Sequence, residues 1–197
     1  MHQHLRHCLP LSIAALLLLS ACGSVSGLTR ESANAPVRIA DFNRVEVLDF
    51  SASDDEHFED AKKQAEHAES LKKAQSAFAD KIAEALIATN AFTEVARSAG
   101  SAPALRVSGN ISRYDEGNIV ARGLTGFAGQ THFDASVNVT DSASGNTLAT
   151  LSVERNSWPL PVGASMSTLQ TTNYFMNNAA KKIADELAAK KKGTATP

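Results

Sequence analysis

Thr131-His132-Phe133-Asp134-Ala135-Ser136-Val137-Asn138-Val139-Thr140 is the stretch whose reading decides the fold. Phe133, Ala135, Val137 and Val139 alternate with His132, Asp134, Ser136, Asn138 and Thr140. Successive side chains of a strand point to opposite faces, so this spacing predicts a strand with one apolar and one wet face. Asp141-Ser142-Ala143-Ser144-Gly145-Asn146 follows as a hairpin loop, where Gly145 or Asn146 supplies a positive φ. Thr147 to Arg155 then returns, with Ala149, Leu151 and Val153 on the inner face.

Working outward, Leu105, Val107, Gly109 and Ile111 alternate with Arg106, Ser108, Asn110 and Ser112, which predicts another half-buried strand. Gly100-Ser101-Ala102-Pro103 is a turn before it, and Phe92 to Ala96 is a short strand before that. Arg44 to Phe50 reads as the first strand, with Val45 and Val47 on one side.

Ser53-Asp54-Asp55-Glu56 resembles a helix start, with side-chain acceptors for the first amides. From there to Thr89 the chain is rich in Ala, Lys and Glu and lacks Pro and Gly. Phe58, Ala61, Ala65, Ala68, Leu71, Phe78, Ile82, Ala85 and Leu86 approximate a helical stripe. The first half of this helix buries little beyond alanine, so residues 54–73 either project or pack lightly. Asn90 suits a left-handed stop. A last helix is predicted from a cap at Ser165 or Ser167 to about Ala189, striped by Leu169, Phe175, Met176, Ala180, Ile183 and Leu187. The expected fold class is therefore α+β: one mostly antiparallel sheet of about five strands, with two helices packed on one face.

The amino terminus carries a different signal. Met1 to His7 hold Arg6 and three histidines, and Cys8 to Leu19 form an apolar run. The run is too short to span a bilayer, which takes ~20 apolar residues. It reads as a targeting segment. Leu19-Ser20-Ala21-Cys22 at its end matches the lipobox of bacterial lipoproteins. That match implies cleavage before Cys22, a thioether-linked diacylglyceryl group on its sulfur and acylation of its amino group. Two or three acyl chains, at about 0.8 kcal/mol per buried methylene, anchor a protein stably where one does not. Gly23 and Ser24 follow without an aspartate, and by resemblance to the enterobacterial sorting pattern this favours the outer membrane over the inner.

The expected organisation is a lipoprotein signal peptide over 1–21, a lipidated tether over 22–40, a single periplasmic α/β domain over 41–192 and a disordered tail over 193–197. Removing residues 1–21 leaves 176 residues and takes the formal charge from −2 to −3, because only Arg6 is lost. A near-neutral balance argues against a nucleic-acid binder, whose footprint is a basic patch. Cys8 is removed and Cys22 lipidated, so no disulfide is expected. No second long apolar run points to a transmembrane helix.

Several groups could carry chemistry. Gly123, Gly126 and Gly129, with Gly117 upstream, fall between two expected strands at a spacing that is not the dinucleotide fingerprint, and no helix opens after them. A loop or bulged strand using free φ/ψ is the plainer reading, and a glycine contact with a membrane or partner is the alternative. His57 and His67 stand ten apart and do not share the i,i+4 face of helical metal sites; with Glu56, Glu59, Asp60, Glu66 and Glu69 nearby, weak adventitious metal binding is the alternative, but a solvated charged face is the preferred reading and no metal or other cofactor is assigned. His132 and Asp134 lie at i,i+2 on the wet face of a strand, but no serine is marked out to complete a triad and no nucleophile elbow is present. Trp158, between Ser157 and Pro159, is the only tryptophan, and serves either as an exposed anchor for a partner or as a lid over the sheet edge.

At Tyr114 to Leu151 the chain resembles a known family. Gly117-Asn118 with Arg122, Gly126-Phe127 with Gly129, alternating Phe133 to Val139, and Asp141 with Gly145 are similar to the bacterial lipoprotein family defined by domain of unknown function 4410. The likeness extends from Val45 to Leu187 and includes Phe92 with Val95. It implies a small envelope α/β domain like the amino-terminal part of periplasmic Tol-system proteins. It supplies no activity, cofactor or catalytic residue to carry over.

The functional expectation is a non-enzymatic outer-membrane lipoprotein that binds an envelope protein or self-associates. Its expected partner or ligand surface comprises Gly117, Gly123, Gly126, Gly129, His132, Asp134 and Trp158. A small-ligand or glycan binder is the alternative, and a hydrolase with a non-standard site at His132 and Asp134 is the third reading.

Overall fold

The computed structural model describes residues 37–54, 56–117, 130–156 and 170–193. Cys22 and the tether, Gly123, Gly126, Gly129, Trp158 and the expected caps Ser165 and Ser167 lie outside the described residues.

A single 3-10 turn, Ile39–Asp41, leads into strand β1, Arg44–Val47, and strand β2, Ser51–Ala52. Helix α1 spans Ala61–Thr89. Strands β3, Glu94–Ala96, β4, Leu105–Asp115, β5, His132–Asp141, and β6, Thr147–Asn156, follow. Helix α2, Thr172–Lys191, closes the described fold.

The sheet corrects the expected topology. It has six strands, ordered β3-β1-β4-β5-β6 with β2 also paired to β4, and it is mixed. β4–β5 and β5–β6 are antiparallel, as the alternation predicts, but β1 runs parallel to both β3 and β4, and β2 runs parallel to β4. The physical reason is connection length. A hairpin turn can join only antiparallel neighbours, whereas a crossover as long as α1 lets β3 lie beside β1 in the same direction. The sixth strand arises because the expected first strand is broken. The Leu48 amide still donates to the Val107 carbonyl of β4 (2.9 Å), but Asp49 and Phe50 leave the ladder, and β2 rejoins the same partner at Asn110 and Ile111. The Phe50 amide donates instead to the Gln75 carbonyl of α1 (3.3 Å).

Both helices contribute to one apolar cluster with the inner face of the sheet. Phe78 of α1 sits between two rings, with centroids 4.8 Å from Phe50 and 4.9 Å from Phe133, both edge-on. Such edge-to-face pairs contribute about 0.5–1.5 kcal/mol beyond area burial. Ala74, Ala79 and Ala83 of α1 and Ala179, Ala180, Ala184 and Ala188 of α2 are buried, and their small side chains let the two helices approach each other closely.

Helix α1 begins later than its acidic lead predicts. Asp60 is the N-cap and accepts from the amides of Lys62 (2.8 Å) and Lys63 (3.2 Å). Asn90 ends it in the left-handed conformation, as expected. Thr171 caps α2 through the Tyr174 amide. At the far end the Lys191 ammonium donates to the Ala40 carbonyl (2.8 Å) and to Asn43 Oδ1 (2.9 Å), tying α2 to the 3-10 turn.

Candidate functional site

One irregularity in β4 positions two polar sites among the described residues. The register against β5 shifts between Ile111 and Arg113, so one extra residue enters β4 there. A bulge of this kind re-aims the side chains beyond it. Leu105, Val107 and Ile111 point inward before the shift; after it, Ser112 and Arg113 are both exposed and Tyr114 is buried. Arg113 is thereby aligned with Asp134 on the outer face, and Tyr114 is turned to the inner one.

The outer face of β4, β5 and β6 carries an open polar groove of about 470 Å³. Arg113, His132, Asp134, Ser136, Ser152 and Glu154 contribute to its lining. Cross-strand pairing sets this composition: Asp134 faces Glu154, and Ser136 faces Ser152. Asp134 Oδ1 accepts from the Arg155 amide (3.2 Å). Burial, and then the positive charge of Arg113, hold the His132 imidazole below its ordinary pKa, against the opposing pull of Asp115 and Asp134. Among the described residues no hydrogen bond joins His132 to Asp134 or to Ser136. The base-to-nucleophile contact of a triad is therefore not made at these positions.

Of the expected site residues, Gly117, His132 and Asp134 are described, and they line two different clefts. His132 and Asp134 line the outer groove, whereas Gly117 (φ 66°) lines a second cleft of about 420 Å³ at the end of the sheet. Asp115 Oδ1 accepts the Gly117 amide (2.7 Å), and Thr131 donates to the Glu116 carbonyl (3.1 Å), which closes the sheet on either side of residues 118–129.

Beside this cleft, which His67 and Tyr114 help to line, stands a group that the sequence reading did not assemble. His67 stands on the early half of α1, with its ring centroid 5.2 Å from Phe58 and 6.4 Å from Tyr114. Asp54 Oδ2 lies 3.4 Å from His67 Nε2. The His67 side chain is 12 % exposed and that of Asp54 3 %. Asp54 also accepts from the Tyr114 amide (2.8 Å) and the Glu56 amide (3.1 Å). Burial, followed by the neighbouring charges of Asp115 and Asp54, raises the Glu56 carboxyl pKa. The Tyr114 hydroxyl donates to Glu116 (2.8 Å), and burial first, with that acceptor beside it, pushes its pKa up to about 12. One ligating atom each from Asp54, Glu56 and His67 lies within 4.8 Å of the others, so these are the described residues able to hold a metal ion together.

Residues 54–73 thus pack lightly, through Gln64, His67, Ser70 and Leu71 rather than through the alanine stripe. The spacing of His57 and His67 gave no hint of the cluster, because the partners of His67 come from the loop that precedes the helix.

The fold and these sites define a small α+β domain with one helix-covered sheet face and one polar face. The chain belongs to the family described as domain of unknown function (DUF4410), whose profile matches residues 39–161, more than half of the chain. No curated protein is similar to it in sequence at a significant level. Among solved structures it is similar to the PelC dodecamer from Paraburkholderia phytofirmans, at 14% identity and TM-score 0.45 over 82% of this chain and 96% of that chain. It is also similar to a Xanthomonas campestris protein of family DUF330, at 9% identity and TM-score 0.44 over 78% and 89% of the two chains. A putative neuraminyllactose-binding hemagglutinin homolog from Helicobacter pylori matches at 12% identity and TM-score 0.34 over 79% and 86%. These likenesses concern general outline alone.

Proposed function

We propose that the protein is a lipid-anchored lipoprotein of the bacterial envelope, held by acyl chains on Cys22 at the periplasmic face of the outer membrane. Its α+β domain binds an envelope protein or a second copy of itself and catalyses no reaction. The address rests on Leu19-Ser20-Ala21-Cys22; no described helix is long and apolar enough to cross a membrane. The observation that carries the binding role is the outer sheet face. Both helices are spent on the inner core, while Ser136, Asn138, Ser152 and Glu154 stand exposed on a broad strand platform with charges of both signs. Mixed charge on a rigid scaffold favours selective docking over non-specific adhesion.

Ser136→Arg tests this, because it fills the groove without touching the core. Detergent-extracted wild-type protein should run as a reproducible complex or oligomer, and the variant should lose it. Identical monomeric behaviour of both would overturn the reading. The groove's volume, within the range of small-molecule sites, favours a small polar ligand or glycan as the second reading. A glycan that protects the monomer thermally, with protection lost in Ser136→Arg, would select it.

A further inference from the structure

We propose that Asp54, Glu56 and His67 form a binding site for a divalent cation of the zinc class, which clasps the loop after β2 to the early half of α1.

The geometry carries the inference. The His67 Nε2 atom is buried and makes no hydrogen bond, and the nearest acid, Asp54 Oδ2, stands 3.4 Å away. A buried imidazole nitrogen without a hydrogen-bond partner is costly in a folded protein, and each such atom calls for an explanation. Asp54 is aimed at it and held there by two backbone amides, from Glu56 and Tyr114. The Glu56 carboxylate completes a set of three ligand atoms within 4.8 Å of one another. A metal with bonds of about 2.0–2.2 Å to imidazole nitrogen and carboxylate oxygen separates its ligands by less than that limit. One nitrogen and two carboxylate oxygens suit zinc or a neighbouring transition metal better than magnesium or calcium, which take oxygen alone. The cleft beside His67 leaves room for water to complete the coordination.

The site has a structural rationale as well. The early half of α1 buries few apolar side chains, and its exposed Lys62–Glu66 and Lys73–Glu69 pairs add little. A cation shared between Asp54, Glu56 and His67 would fix that half to the sheet end through groups from two segments.

Zinc titration of the membrane-extracted protein against a fluorescent chelator tests the proposal, with His67→Gln and Glu56→Gln beside the wild type. The remaining histidines of the anchored protein, His57 and His132, are common to all three, so only differences count. The wild type should bind one more zinc ion than His67→Gln, and Glu56→Gln should bind that ion at least tenfold more weakly. Glu56 is only partly buried, so its variant keeps the test open if His67→Gln fails to fold. Cobalt in place of zinc should give visible absorption in the wild type that Glu56→Gln diminishes. Equal stoichiometry and affinity in wild type and Glu56→Gln would overturn the proposal.

Discussion

The ring of Phe50 fills the space that a side chain at Gly109 would need. A Cβ there would stand 2.5 Å from Phe50 Cε1 and would collide with the Ser136 carbonyl oxygen of the neighbouring strand. Gly109→Ala should therefore destabilise the domain by about 2 kcal/mol, the scale of an overpacked core. Urea denaturation gives the number. Adding Phe50→Leu should recover part of the loss and leave the remainder to the backbone clash. Full stability in Gly109→Ala would contradict the packing of Phe50.

Glu46 is a buried carboxylate on β1. It accepts from the Gly100 amide (2.6 Å) and from Arg106 (3.0 Å), and Arg44 lies 3.5 Å away. Its side chain is fully buried, whereas both arginines are partly exposed. Removing one partner of a buried pair leaves charge uncompensated, so Glu46→Ala should cost about 3 kcal/mol in thermal or chemical unfolding. By contrast, Glu69→Ala, which breaks a solvent-exposed pair with Lys73 on α1, should leave stability close to that of the wild type. Equal losses would contradict the burial of Glu46.

His132 should titrate below its ordinary value of 6.5 in a proton NMR titration. A depressed folded value means that the unfolded chain takes up the proton first as pH falls. The neutral histidine's contribution to stability is then present above 6.5 and is lost as pH falls through the folded value. Arg113→Ala removes the second cause of the shift and should move the midpoint upward. A midpoint at or above 6.5 in the wild type would contradict the position of Arg113.

Cys22→Ala should release the protein from the membrane fraction, because the acyl chains are the anchor that the lipobox implies. Persistence in the membrane pellet at the wild-type level would contradict a lipid anchor at Cys22.

Sequence periodicity reached the β5–β6 hairpin because its partners are adjacent in the chain and one face alternates cleanly from Phe133 to Val139. It did not reach the parallel pairing of Val45 with Leu105, which depends on where a long crossover returns. It placed the start of α1 too early because Asp54 looks like a cap. In the folded chain Asp54 instead accepts the amide of Tyr114, a residue distant in sequence. His132 and Asp134 were legible as outward groups of a strand. Arg113 was not, since the bulge after Ile111 reverses the alternation that would have placed it. Glu56 and His67 carry no shared spacing, so only the folding of the loop against α1 brings them together.

The proposed binding surface is the outer strand face. Photo-crosslinking in whole cells, from a photoreactive residue at Ser136 and separately at Lys181 on the exposed side of α2, tests it most directly. A discrete adduct is expected from Ser136, with a defined envelope protein or a second copy of the chain, and none from Lys181. No adduct from Ser136, or the same adducts from both positions, would contradict it.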